Sequence, residues 1–61
     1  MINITFPDNS VKAFEAGVTP LQVAESLSPQ LARDVLAASV DGKEWDINRP
    51  IEADATIRLF K

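Results

Sequence analysis

Apolar and polar residues alternate at the start of the chain, with Ile2, Ile4 and Phe6 on one side and Asn3 and Thr5 on the other. A period of two predicts a strand, and its side with the larger residues should face a core. Pro7-Asp8-Asn9-Ser10 reads as a turn in which Asn9 is best suited to positive φ. A second strand follows from Val11 to about Glu15, completing a hairpin. Its phase is ambiguous, because Phe14 claims one face while Val11 and Ala13 claim the other. Burying Phe14 rather than Ala13 gains roughly 1 to 2 kcal/mol on area grounds, so Phe14 is assigned inward. Ala16-Gly17 then turns the chain.

The period changes at Val18. Thr19 is suited to cap a helix, Pro20 to its first position, where a missing N–H costs nothing, and Gln22 to close a capping box. Val18 and Val23 occupy the staple positions. At about 100° per residue, Leu21, Val23, Ala24 and Leu27 share one side while Gln22, Glu25 and Ser26 share the other. Ser28-Pro29 repeats the cap-and-proline signal, which predicts a break and a second short helical turn, with Leu31 and Val35 closing over the edge of the core. Asp41-Gly42 lies between strand-like residues and predicts a second hairpin. Trp45 and Ile47 are in phase, Asn48-Arg49-Pro50 is a loop, and Ile51 dips inward. Thr56-Ile57-Arg58-Leu59-Phe60 forms the last strand, with Ile57 and Leu59 pointing one way and Phe60 the other, partly exposed.

Two hairpins separated by one helix form a single sheet if the last strand fills the gap between them, parallel to the first. The expected fold is therefore α+β, a β-grasp or ubiquitin-like mixed five-stranded sheet, with one main helix packed on one face and a short second helical turn. All 61 residues make one domain. A domain of this size buries only about 60% of its unfolded surface.

Composition narrows the chemistry. There is no Cys and no His, which excludes disulfides, thiolate and imidazole catalysis, and zinc sites of the usual ligand types, leaving a carboxylate-only metal site open. The net charge of −3, with six basic residues scattered singly, opposes non-specific nucleic-acid binding. No apolar run is long enough to span a bilayer, and the first residues alternate like a strand rather than a signal peptide.

Several stretches together resemble the TGS domain that begins bacterial threonyl-tRNA synthetases. They are Met1-Ile2-Asn3-Ile4-Thr5-Phe6-Pro7-Asp8, Val18-Thr19-Pro20-Leu21 with Val23-Ala24, Asp41-Gly42-Lys43 through Asp46, Asn48-Arg49-Pro50-Ile51, and Ile57-Arg58-Leu59-Phe60. The resemblance covers essentially the whole chain. Asn9 stands where the family usually has Gly, and Glu44 and Trp45 replace smaller apolar residues. The resemblance implies residues 1–61 as a piece of a longer cytoplasmic enzyme, an ATP-dependent threonine:tRNA ligase. That parent carries zinc in its catalytic domain, an editing domain and a homodimeric assembly. It also implies a non-catalytic domain with a regulatory, RNA-contact or interdomain role, no cofactor of its own, and the other synthetase domains as partners. It brings no catalytic residues to these positions.

Candidate sites are few. Asp41, Glu44 and Asp46 cluster in sequence, as do Glu52 and Asp54, but each group is expected at a solvated turn. Gly17 and Gly42 do not make a phosphate loop. Lys12, Arg58 and Lys61 are expected to form a weak basic strip on the exposed sheet face with Asn3, Thr5 and Thr56. Three charges supply only a modest, salt-dependent affinity for RNA, so these residues stand as candidate RNA or partner contacts beside the plainer reading of a solvated face. Trp45 is expected at the core or its edge.

Two other functions compete with the synthetase module. A free-standing ubiquitin-like interaction module or sulfur carrier is one, although a carrier needs a flexible C-terminal Gly-Gly and this chain ends Leu59-Phe60-Lys61. The TGS domain of a GTPase or alarmone synthetase is the other. It would lie internally, whereas the match here begins at Met1. An independent enzyme is disfavoured by the lack of a nucleophile, base and phosphate cradle together.

Overall fold

The computed structural model describes residues 1–61 and contains five strands and two helices. In chain order they are β1 (Ile2–Thr5), β2 (Val11–Phe14), α1 (Pro20–Leu27), α2 (Pro29–Asp34), β3 (Ala37–Val40), β4 (Lys43–Trp45) and β5 (Ala55–Phe60). The sheet order is β2-β1-β5-β3-β4, with β1 and β5 parallel and the other pairs antiparallel. The last strand thus fills the central gap between two hairpins, which is the β-grasp arrangement.

Local chemistry sets each turn. Asn9 adopts φ 70° in the first hairpin, where Phe6 N–H donates to the Ser10 carbonyl at 2.8 Å. The second hairpin turns through Asp41 at φ 52° and Gly42 at φ 81°. Two consecutive left-handed residues match the right-handed twist of the flanking strands. The start of α1 is held by the reciprocal capping box: Gln22 N–H donates to Thr19 Oγ1 at 3.2 Å, and Thr19 N–H donates to Gln22 Oε1 at 3.0 Å. Ser28 ends α1 by donating its N–H to the Ala24 carbonyl and starts α2 by accepting from Gln30 N–H at 3.2 Å. Pro29 at the first position of α2 explains why the two helices do not merge.

Ile2, Ile4, Phe6, Val23, Val40, Ile51, Ala55 and Ile57 form the core, with Phe14, Val18, Trp45 and Leu59 packed around it. Ile4, Val23 and Ile57 are wholly inaccessible, and each such aliphatic side chain contributes about 1.5 to 3 kcal/mol by leaving water. In β2 it is Phe14 that packs inward while Val11 and Ala13 face solvent. Leu27 departs from the helical-wheel expectation. It is the last residue of α1 and lies exposed, bordering a recess with Phe6, Val11 and Lys12, although Val23 one turn earlier is buried.

Candidate functional site

The parallel pairing gives the domain two unlike ends. At one end β3 turns into β4, β5 begins, and β2 leads to the loop before α1. Here the carboxylates are engaged with backbone. Asp41 N–H donates to the Thr56 carbonyl at 2.8 Å, and its Oδ1 accepts from Thr56 N–H at 2.9 Å. These bonds carry the β3–β5 pairing one residue past Val40. Asp54 Oδ1 accepts from Asn3 N–H at 2.8 Å, fastening the start of β5 to β1. The loop leading into α1 is tied in by two bonds, from Gly17 N–H to the Ile51 carbonyl and from Ile51 N–H to the Val18 carbonyl, both 2.8 Å.

Beside this end lies an open recess of about 500 Å³, with Lys43, Trp45, Arg49, Ile51 and Asp54 among its walls. Trp45 is half-buried. Its Nε1–H donates to the Arg49 carbonyl at 2.9 Å, and the Arg49 guanidinium stacks 3.8 Å above the ring. The indole therefore clamps the 46–50 loop. Asp46 adds a turn bond by accepting at Oδ1 from Asn48 N–H at 2.8 Å. The carboxylates singled out by sequence clustering have separate duties: Asp41, Asp46 and Asp54 accept backbone N–H groups, and Glu44 lies across from Ser39 on the open sheet face. No group of three or more Asp and Glu comes together in an arrangement that could hold a metal ion.

The opposite end is where β1 and β5 finish and β3 begins. It carries the exposed large apolar side chains Val11 (59% exposed), Leu27 (45%), Leu36 (77%) and Phe60 (47%). Met1 is the one exposed large apolar residue at the other end. Asp8 sits in the first hairpin turn here, accepting at Oδ1 from Ser10 Oγ–H at 2.6 Å and from Ser10 N–H at 3.0 Å. The side-chain bond, then the backbone bond, hold its carboxyl below the usual carboxylate value.

The three basic candidates do not form one strip. Ile4 pairs with Lys12 across the hairpin, and cross-strand partners share a face, so Lys12 projects on the helix side of the sheet. Its Nζ lies 5.6 Å from the Phe14 ring centroid, and it lines a shallow apolar recess with Phe6, Pro7, Val11 and Leu27. Arg58 alternates with buried Ile57 and partly buried Leu59 and therefore stands on the open face, opposite Ser39 and on the same side as Thr56. Lys61 follows the end of that strand and is exposed. Arg58 and Lys61 thus share one end of β5, while Lys12 borders that end from the other face. Period-two alternation could have placed Lys12 correctly, since turning Phe14 inward turns Lys12 the same way. The Trp45–Arg49 clamp had no such signal, because the backbone between the two residues is irregular.

These features define a class first: a small β-grasp domain whose acidic side chains secure its turns and whose apolar exposure is gathered at the end where its central strand leaves. The chain belongs to the TGS family, since the family described as TGS domain matches residues 2–61. It is 59% identical over 61 residues to the threonine–tRNA ligase of Parabacteroides distasonis and 56% identical over 61 residues to that of Phocaeicola vulgatus. Each of these alignments covers 100% of this chain and 9% of the relative. The threonine–tRNA ligase of Hyphomonas neptunium is 51% identical over 60 residues, covering 98% of this chain and 9% of the relative. The match falls in the N-terminal region of these ligases, and the chain spans about 9% of their length. No helix is long and apolar enough to cross a membrane.

Proposed function

We propose that this chain is the N-terminal accessory domain of a threonine–tRNA ligase and takes no chemical part in joining threonine to tRNA. The observation that carries the reading is the similarity over the whole chain, at 59% identity, to a protein of that name. The engagement of Asp41, Asp46 and Asp54 with backbone supports a structural rather than catalytic use of the acidic residues. In this reading the intact protein is a cytoplasmic homodimer, and ATP and zinc belong to its other domains. The domain's partners are those other domains. Lys12, Arg58 and Lys61 serve as peripheral contacts to a partner surface or to tRNA.

The test is to read the source gene past the codon for Lys61 and assay its product for threonine-dependent ATP–pyrophosphate exchange, with and without residues 1–61. The reading expects a ligase of several hundred residues whose exchange activity survives the deletion. A reading frame that stops at Lys61 removes the ligase assignment. Loss of exchange in a folded deletion variant removes the non-catalytic assignment.

A further inference from the structure

We infer that the end of the domain where β5 leaves the sheet is a docking surface for the next domain of the same polypeptide, and that Leu36 and Phe60 are its main contacts. The inference rests on the accessory-domain reading above and deepens it by naming the surface.

Four of the five exposed large apolar side chains gather at this end. Val11 pairs with Thr5 near the finish of β1, Leu27 ends α1, Leu36 precedes β3, and Phe60 ends β5. Leu36 and Phe60 are joined through the backbone, with Leu36 N–H donating to the Phe60 carbonyl at 2.8 Å. They do not bury each other: both remain exposed, Phe60 on the open face opposite Ala37, and Leu36 one residue before Ala37, beside a recess lined also by Ala37, Trp45 and Ile47. Four of five exposed large apolar side chains at one end of so small a domain favour an interaction site there over evenly scattered surface.

Continuity identifies the occupant. The chain matches the N-terminal region of relatives roughly eleven times its length, so in those proteins the following sequence departs from the position of Lys61, beside Phe60. A short tether holds such a neighbour at an effective concentration on the order of millimolar, so even a small apolar patch suffices for docking. Arg58 and Lys61 stand at this end and Lys12 at its border, which favours a neighbouring surface with apolar side chains rimmed by carboxylates. An RNA occupant fits less well, since phosphate binding has no use for the exposed leucines and phenylalanine and draws little from three separated cations.

The experiment compares amide hydrogen exchange in the 61-residue chain and in the intact ligase. Exchange at residues 6–12, 35–37 and 58–61 should slow at least tenfold in the intact protein, while the Asp41-Gly42 turn should exchange alike in both. In the intact ligase, Leu36→Ser with Phe60→Ser should remove that protection and raise proteolytic cleavage at the junction about tenfold. If the double variant unfolds the 61-residue chain, Leu36→Ser alone, at the more exposed position, should still weaken the protection.

Equal exchange at these residues in the chain and in a confirmed ligase overturns the docking surface and leaves the ligase reading standing. A reading frame ending at Lys61 takes both away. Protection appearing only when tRNA is added gives the surface to RNA. Protection appearing in the 61-residue chain with rising concentration gives it to a second copy. Either of these last two results refutes the inference.

Discussion

The two ends of this domain are built from the same strands, yet they satisfy their surfaces in opposite ways. Where β3 turns into β4, Asp41 and Asp54 are bonded to the backbone of neighbouring strands, and Met1 is the one large apolar side chain left exposed. Where β5 leaves, the exposed side chains are long and apolar, and Val11, Leu27, Leu36 and Phe60 lie open to solvent. The first end gains stability within the domain. The second leaves contact area unused, so its side chains can change with little effect on the fold. On the docking proposal, stability and binding rest on different residues.

Mutations can break or sharpen that contrast. The largest effect is expected between the ends, at Ile57, which is wholly buried in the central strand. Ile57→Ala should cost about 2 to 5 kcal/mol, enough to leave most of a 61-residue domain unfolded at room temperature, as read by circular dichroism in a urea titration. At the polar end, Gly42 adopts φ 81°, and Gly42→Ala should cost about 1 to 2 kcal/mol by forcing a side chain into the left-handed region. A shift in the urea midpoint at unchanged slope would show it.

At the apolar end, Leu36→Ser should stay within about 0.5 kcal/mol of the parent in the 61-residue chain, because that side chain is 77% exposed. Destabilisation matching that of Gly42→Ala would erase the distinction between the ends. The smallest effect concerns Asp8. Its folded carboxyl lies below its ordinary value, so it contributes stability that is complete above the unfolded value and is lost as pH falls through the folded one. Asp8→Asn should therefore lower the urea midpoint slightly at neutral pH and flatten its acid limb, so that variant and parent converge as pH falls below the ordinary Asp value of about 3.9.

Most of the architecture was legible because it is written in local chemistry. Thr19-Pro20 with Gln22, Asn9, and Asp41-Gly42 each specify a backbone geometry by their own covalent structure, and all three features stand where alternation and capping place them. The parallel placement of β5 followed from the need to close one sheet. Leu27 was not legible, because a helical wheel assigns a face without showing how closely the last turn of the helix is covered. Lys12 was misplaced for a different reason: its charge suggested the open face, whereas its register with Ile4 puts it on the other. Arg58 stood on the predicted face, yet with Lys12 behind the sheet the basic candidates form no strip. Leu36 drew no assignment at all, since its exposure depends on how the chain leaves α2 to enter β3.

The central position of β5 also governs how the domain comes into being. Its six residues are translated last among the strands, yet both hairpins must pair with it. A nascent chain that has not yet produced Ala55 through Phe60 holds two separate hairpins, each lacking its inner neighbour and marginal in water by itself. Folding on the ribosome must therefore wait until β5 has cleared the exit tunnel. In the ligase proposed above, where synthesis continues past Lys61 at about 5 to 20 residues per second, that wait lasts seconds, far longer than the microseconds in which a hairpin closes.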